Sequence, residues 1–280
     1  MEYLLKTGRN KATLSVFVQT QKPQRIHIVA FDPNKMTARN NPLAIYANHG
    51  GTVNGSRRFD IPLPKSPDLL KVMVFNEKNG WRRKSDNTFK VQKFGVNKLK
   101  TWQTWASPET KEFIAFAQEF CDNAGILKSS KDGLLYESRT GRFKIKYYDR
   151  ILSPDGKKVL STPARISNKT AVIEVSKMAF GKYSIPMRMV ILMHEYSHFY
   201  LNKNMRNEIQ ADLNGLYYYL GEGYSPIEAH KAFLTVFNKA DNAQNELRYQ
   251  MIKTYVEDYY SGKIAKPNGS TQELMLRKAS

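Results

Sequence analysis

The period of the hydrophobic pattern changes along the chain near residue 105, and this change limits the fold more than any other feature. Before it, apolar residues alternate with polar ones, as at Leu14, Val16 and Val18. After Tyr183, apolar residues recur at intervals of three and four, as in Ala243–Tyr260. A period of two predicts half-buried strands, and a period near 3.6 predicts amphipathic helices. We therefore expect a multidomain chain, with an all-β module before an α+β domain whose C-terminal part is helical.

The first 105 residues are predicted to form short strands separated by turns. Two turn signals are His49-Gly50-Gly51 and Asn54-Gly55, because glycine and asparagine favour tight turns. Strands at this spacing predict an Ig-like sandwich or a small barrel. The predicted strands are Leu14–Val18, Arg25–Phe31, Leu43–Ala47, Phe59–Leu63, Leu70–Phe75 and Phe89–Val96.

Residues 106–262 are predicted to form the second domain, and residues 263–280 a polar C-terminal tail. Ser107 and Pro108 have the chemistry of a helix start, so a helix is expected from there to about Asn123. Strand-like alternation follows at Phe143–Tyr147 and at Thr170–Val175. The remaining predicted helices are Pro186–Leu201, Arg206–Leu220, Pro226–Asn238 and Ala243–Tyr260.

Composition narrows the classes of partner and compartment. The 280 residues are 41% hydrophobic, so global disorder is not expected. A net charge of +19 favours nucleic acid, an anionic surface or an acidic protein as partner, although a lysine-rich soluble surface explains it equally well and no nucleic-acid motif is present. Cys121 is the single cysteine, which excludes an intrachain disulfide. No signal peptide or membrane span is expected, so the sequence predicts a cytoplasmic protein.

The strongest chemical signal is the segment His194-Glu195-Tyr196-Ser197-His198 inside a predicted helix. His194 and His198 are one turn apart, so their imidazoles lie on one face and can bind one Zn²⁺ ion. Glu195 is rotated by about a third of a turn from His194. It is therefore left out of the ligand set but can act as a base on an attacking water.

A catalytic zinc ion needs a third protein ligand and one open position. Glu208 is the candidate, because Asn202–Asn204 can end the first helix and let a second begin near Arg206. Glu208 would then lie in the first turn, close to both histidines. Asp212 follows one turn later on the same face and is suited to accept a hydrogen bond from a ligand histidine.

The pattern His194-Glu195-x-x-His198 with Asn207-Glu208-x-x-x-Asp212 resembles the gluzincin class of zinc metallopeptidases, whose type member is thermolysin. The resemblance covers about Thr170 to Leu220. It implies His194, His198 and Glu208 as zinc ligands, Glu195 as general base and Asp212 as support for a ligand histidine. It also implies a transition-state stabiliser, for which spacing leaves four candidates: Tyr218, Tyr219, Tyr224 and His230.

One departure from the thermolysin-like pattern is the short link between the ligands. Only nine residues separate His198 from Glu208, which demands a tight helical hairpin. In zincins a sheet edge usually holds the substrate in an extended conformation, and Thr170–Val175 is the predicted edge. The expected function is zinc-dependent hydrolysis of peptide bonds in a peptide or protein substrate.

The alternative belongs to another functional class, a structural or assembly protein with a zincin-like scaffold. In that interpretation His194 and His198 are core histidines satisfied by Glu208 and Asp212. A β module without visible chemistry, the positive charge and a polar, poorly patterned tail from Lys263 to Ser280, which neighbours in an assembly would hold, favour a homo-oligomer. The Asn-, Lys- and Tyr-rich composition resembles that of tailed-bacteriophage proteins and extends this interpretation to a virion component, such as a neck or tail ring. Nucleic-acid binding through the basic surface is the third interpretation.

Overall fold

A computed structural model describes residues 1–81, 86–99, 106–153, 155–237 and 243–264. The chain forms two compact units. The first contains Met1–Trp102 with the short segments Ser184–Pro186 and Gly223–Glu228, and the second contains the remainder. The main division therefore lies close to residue 105, but the first unit also takes residues from the helical half. The multidomain organisation itself stays a prediction.

The first unit is built on an antiparallel sheet around one long central strand. Strand β2 pairs with β3 along its length, and its other side pairs with β5 in its first half and β4 in its second. Strand β1 pairs with the outer side of β4. Alternate residues of β2, such as Val16 and Ile28, are fully buried in the core. The strands are β1 (Glu2–Lys6), β2 (Ala12–Phe31), β3 (Ile45–Leu63), β4 (Leu69–Asn76) and β5 (Phe89–Lys98).

The described strands form one open sheet, so the predicted barrel is wrong, and the two separate sheets of an Ig-like sandwich are not seen among them. The predicted turns at His49-Gly50-Gly51 and Asn54-Gly55 are also wrong, because β3 continues through both. Gly50 lies opposite His27, and a Cβ at Gly50 would be 2.7 Å from His27 Nε2. This glycine therefore makes room for a neighbouring ring and does not reverse the chain.

The second unit combines helices with a small sheet, so the chain as a whole is mixed α/β. Most of its helices begin and end near the predicted residues. The predicted helix Pro226–Asn238 changes to a π-helix at Phe233–Phe237, and Asn238 lies outside the described residues. The sequence does not predict the short helix Lys177–Phe180. The described helices are α1 (Pro108–Asn123), α2 (Lys177–Phe180), α3 (Ile185–Tyr200), α4 (Glu208–Gly221), α5 (Pro226–Ala232) and α6 (Ala243–Tyr260). The first residues of α3 and α5 are assigned to the first unit.

The sheet of the second unit has the order β6-β7-β9-β8. Strand β9 pairs with β7 in parallel and with β8 antiparallel, so it is an inner strand. The prediction that Thr170–Val175 forms the substrate edge is therefore wrong, and β8 is the edge strand on that side. The strands are β6 (Leu134–Glu137), β7 (Lys144–Tyr148), β8 (Ala164–Ile166) and β9 (Ile173–Ser176).

Contacts with α1 and α2 hold helix α3 in the core of the second unit. Ser107 caps α1 as predicted, since its hydroxyl accepts a hydrogen bond from Thr110 N. The ring of Tyr196 stacks on Phe113 with 4.1 Å between the ring centroids. The buried guanidinium of Arg188 donates to Cys121 O at 2.9 Å, which ties α3 to the end of α1. Among the described helices, none is both long and apolar enough to cross a membrane.

Candidate metal centre

The two predicted histidine ligands project from the buried helix α3. His194 is 4% exposed and His198 is 7% exposed. Because the residues are one turn apart, their rings are neighbours, with the ring planes at 89° and the two Nε2 atoms 3.0 Å apart. The helical spacing therefore brings two nitrogen donors to one point, as the sequence predicts.

Glu208 is the first residue of α4, immediately after a tight hairpin. Asn207 caps this helix, because its side-chain oxygen accepts a hydrogen bond from Gln210 N at 3.0 Å. Asn202 closes the connecting loop, since its amide nitrogen donates to Asn207 O. Its amide oxygen accepts a bond from the Asn214 side chain. The nine-residue link is therefore long enough for the two helices to lie together.

A glycine sets the separation of α3 and α4. A Cβ at Gly215 would lie 2.9 Å from the carbonyl carbon of Met193 and 3.0 Å from His194 N. The backbone of α4 thus contacts the backbone of α3 at the residue that carries the first histidine. This close crossing keeps the beginning of α4 within reach of the imidazoles.

The three candidate donors lie close enough together to hold a metal ion. Glu208 Oε2 lies 3.4 Å from His194 Nε2, and Glu208 Oε1 lies 3.6 Å from His198 Nε2. Donors at about 2.0–2.1 Å in a tetrahedral zinc site are themselves roughly 3.3 Å apart. The group His194, His198 and Glu208 can therefore hold a metal ion.

The second nitrogen of each imidazole lies close to an oxygen atom of the protein. His198 Nδ1 lies 2.8 Å from Met205 O. His194 Nδ1 lies 2.8 Å from Asp212 Oδ1, where the sequence predicted a supporting carboxylate. A ring nitrogen held in this way turns Nε2 towards the ligand cluster and fixes the tautomer.

Arg248 on α6 completes the cluster, and the sequence analysis did not identify it. It makes two hydrogen bonds to Asp212, at 2.7 and 3.0 Å, and lies 3.2 Å from Glu208. Together with His194, these residues form a closed ring of ion pairs. A signal was present in the sequence: Arg248 is four and seven residues before Ile252 and Tyr255, which are buried on one face of α6.

Glu195 lies beside the cluster but not within it. Its side chain is almost fully buried, and its Oε2 accepts a hydrogen bond from Ile166 N at 2.8 Å. Burial raises the pKa of the Glu195 carboxyl above its ordinary value. Glu195 lines the same cavity of about 380 Å³ as His194 and Glu208.

The cluster favours a protonated imidazole at the position where a metal cation can bind. Burial alone would lower the pKa of His194, but hydrogen bonds to Asp212 and Glu208 outweigh it and raise this pKa to about 10. The pKa of Glu208 falls to about 2, chiefly through its hydrogen bond with His194. Burial and the neighbouring His194 lower the pKa of His198. His194 is thus the cationic imidazole of the pair at neutral pH.

Comparison with known proteins gives the chain no relative from which a role can be transferred. No family model, curated protein or solved structure matches it. The chemistry of the site is accordingly derived from its own residues and distances.

The four candidates for a transition-state stabiliser do not line this cavity, among the residues that the structure describes. Tyr218 and Tyr219 are buried in α4, and Tyr224 is buried in the first unit. The ring of His230 lies against Tyr249, with the ring centroids 6.0 Å apart. Apart from Glu195, the polar side chains that do line the cavity outside the cluster are Thr162, Arg165, Asn168 and Arg206.

Proposed function

We propose that this protein is a zinc-dependent metallopeptidase, with His194, His198 and Glu208 as ligands and Glu195 as general base. The supporting observation is the spacing of the three donor atoms beside a cavity that also contains a buried carboxylate. Two imidazole nitrogens and one carboxylate oxygen form a donor set that suits zinc and leaves one coordination position open.

In the proposed reaction, the ion activates the carbonyl and the water, and Glu195 transfers the proton. When bound, zinc polarises the scissile carbonyl and lowers the pKa of water. Glu195 accepts a proton from the attacking water as the new C–O bond forms, and passes it to the amine as the C–N bond breaks. A carboxylate whose pKa is raised by burial is a stronger base than an ordinary glutamate, which favours the first of these transfers.

Asp212 and Arg248 act on the ligands and not on the substrate in this proposal. Asp212 holds the ring of His194, and Arg248 holds both Asp212 and Glu208. A planar guanidinium that binds a carboxylate through two parallel hydrogen bonds fixes its orientation as well as its position. Both are therefore positioning residues of the proposed zinc site.

The edge strand β8 is the proposed binding surface for the peptide. The N–H of Ile166 points away from β9, because it donates to Glu195. Residues on that side of β8 therefore present backbone groups to the cavity, and an extended peptide can add to such an edge as a further strand. This arrangement would lay the scissile bond beside the base.

Metal content and hydrolysis measured together test the proposal. Purified protein is expected to bind one zinc ion per chain and to cleave an unfolded protein such as casein. Glu195→Gln should retain zinc and lose about 10²- to 10⁴-fold in activity, the usual contribution of a general base. His194→Ala should lose both. Glu119→Gln, on the exposed side of α1, is the matched control and should retain both.

Two outcomes would contradict the proposal. Full activity in Glu195→Gln with zinc bound would exclude that residue as the base. A protein that binds no zinc and cleaves nothing would favour the scaffold alternative, in which His194 pairs with Glu208 and Asp212 for stability alone. The polar tail cited for that alternative gives no structural support, because residues 265–280 lie outside the described residues.

A further inference from the structure

The positive charge of the chain is concentrated in its first unit. The first 102 residues contain 19 lysines and arginines but only six aspartates and glutamates, an excess of 13. The other 178 residues contain 25 and 19 respectively, an excess of six. More than two thirds of the net charge of +19 thus belongs to little more than a third of the chain.

Phe17 projects from the outer face of the sheet between two of these cations. Its neighbours Val16 and Val18 are fully buried, so alternation along β2 turns Phe17 outwards, where it is half-buried. Arg58 on β3 and Lys93 on β5 are its direct cross-strand partners. Residues opposite each other in adjacent strands share a face. Phe17 therefore lies on the same face of the sheet as an arginine and a lysine, one in each neighbouring strand.

The residues around Arg58, Phe17 and Lys93 on this face are polar, and several of them are neutral. Gln19 lies opposite Lys90, and its side-chain oxygen accepts a hydrogen bond from Gln92. Ser15 and Arg58 both donate to Asp60, the carboxylate of this part of the face. We call this surface the Phe17 platform and define it as Ser15, Phe17, Gln19, Arg58, Lys90 and Lys93.

We propose that the Phe17 platform binds single-stranded nucleic acid. Neighbouring strands lie about 4.8 Å apart, so the backbone positions of Arg58 and Lys93 are roughly 5 Å from that of Phe17, one on either side. A strand of nucleic acid can stack one base on Phe17 while its phosphates contact the cations. Amide and hydroxyl groups of Gln19 and Ser15 provide further hydrogen bonds.

The aromatic ring distinguishes this partner from other polyanions. An acidic protein or an anionic membrane needs only the positive charges, whereas an exposed base gains from a flat ring among them. Duplex DNA keeps its bases stacked inside the helix and offers Phe17 no free base face. The platform also lies in the first unit and does not involve the metal ligands, so the proposal does not depend on the proposed function.

Fluorescence anisotropy with the full chain tests the platform. The probes are 20-nucleotide oligothymidine and oligouridine, with a chelator present so that the metal centre plays no part. Binding is expected, and the affinity should fall as salt rises because phosphate contacts release counterions. Lys90→Glu with Lys93→Glu should weaken binding at least tenfold. Lys157→Glu with Lys158→Glu makes the same charge change on exposed residues of the second unit and should change it less than threefold.

Substitutions of the ring separate stacking from charge. Phe17→Ala should weaken binding by about 5- to 100-fold, the usual loss of one base–aromatic stack, while Phe17→Tyr should keep it within threefold. Thermal unfolding of each variant checks that the sheet remains folded, and the lysine variants test the proposal even if Phe17→Ala does not fold. Absence of binding, equal losses from the two lysine pairs, wild-type affinity in a folded Phe17→Ala, or equal affinity for heparin would each overturn it.

Discussion

The candidate metal centre pairs its charges with one another, whereas the Phe17 platform leaves most of its charges exposed to solvent. In the centre, His194, Asp212, Arg248 and Glu208 form a ring of opposite charges, with 2.7–3.4 Å between neighbours. On the platform, three exposed cations share a face with one ring, and only Arg58 among them has a carboxylate partner, Asp60, in the described contacts. Buried charges are costly unless each is paired, whereas exposed charges are hydrated and screened by salt. Substitutions in the centre should therefore have large effects that salt hardly changes, and substitutions on the platform should have smaller effects that salt controls.

The largest expected effect is the loss of Arg248. Arg248→Met leaves the buried carboxylate of Asp212 without its bidentate partner, and breaking a buried ion pair in this way costs about 3–5 kcal/mol. Urea unfolding of the metal-free protein measures the change in the free energy of unfolding. Arg142→Met is the matched control, because Arg142 pairs with Glu109 where both side chains are about half exposed. Equal stability of the two variants would contradict the expected difference between the buried and the exposed ion pair.

The next effect is the pH dependence of metal binding. Zinc must displace a proton from His194, whose pKa is about 10 in the protein. Below that pH the proton competes with the metal, so apparent zinc affinity should rise about tenfold for each pH unit between pH 6.5 and 8.5. Competition with a chromophoric chelator measures it. Asp212→Asn should reduce the slope because it removes the carboxylate that holds the proton, and a flat profile in the wild type would contradict the account.

The proton on His194 also affects the stability of the metal-free protein. A lower pH weakens zinc binding, but it should stabilise the folded state without zinc. The pKa of His194 is raised above its ordinary value of 6.5, so protonation favours the folded state. This contribution should be fully present below about pH 6.5 and should be lost as the pH rises towards 10. Chemical unfolding across this range, compared with His194→Ala, isolates it. A contribution of His194 to the free energy of unfolding that increases with pH would contradict the raised pKa of this residue.

A smaller effect is expected at the helix crossing. Gly215→Ala inserts a methyl group against the backbone of Met193 and His194, and such overpacking costs about 1–3 kcal/mol, more than the gain in helix propensity. Zinc affinity should fall with stability because α3 and α4 must separate. Gly95→Ala is the control, since its Cβ would meet nothing within 4 Å. Unfolding curves and zinc titrations of both variants check this, and unchanged zinc affinity in Gly215→Ala would show that the crossing does not set the site.

The smallest expected effect is that of salt on the metal centre. Raising salt from 50 to 500 mM should change zinc affinity less than about threefold, because the paired charges are mostly shielded from solvent. The same change should weaken oligonucleotide binding to the platform at least tenfold. Parallel titrations at four salt concentrations give both slopes. A similar salt dependence of zinc affinity and of oligonucleotide affinity would contradict the expected difference between the buried and the exposed charges.

The sequence predicts those parts of the molecule that local chemistry decides. Helix α6 has the predicted bounds, and α1 begins at the predicted cap, because caps and helical periodicity are local signals. The convergence of His194, His198 and Glu208 is also a local consequence of one helix, a short link and the next helix. Their roles in catalysis stay predictions.

The sequence does not predict features that depend on distant neighbours. Gly50 resembles a turn residue until His27 is placed across from it in the sheet. The edge strand β8 is only three residues long and follows a proline, so its pattern is too short to identify. Arg248 is 36 residues from Asp212 in the chain, and a helical arginine is usually expected at the solvent face.

A crystal structure of the protein grown with zinc, with anomalous data at the zinc absorption edge, tests the central claim most directly. The account predicts one strong peak per chain, about 2.0–2.2 Å from the Nε2 atoms of His194 and His198 and from a carboxylate oxygen of Glu208. A structure with no peak between these residues, or with zinc bound only elsewhere, would contradict it.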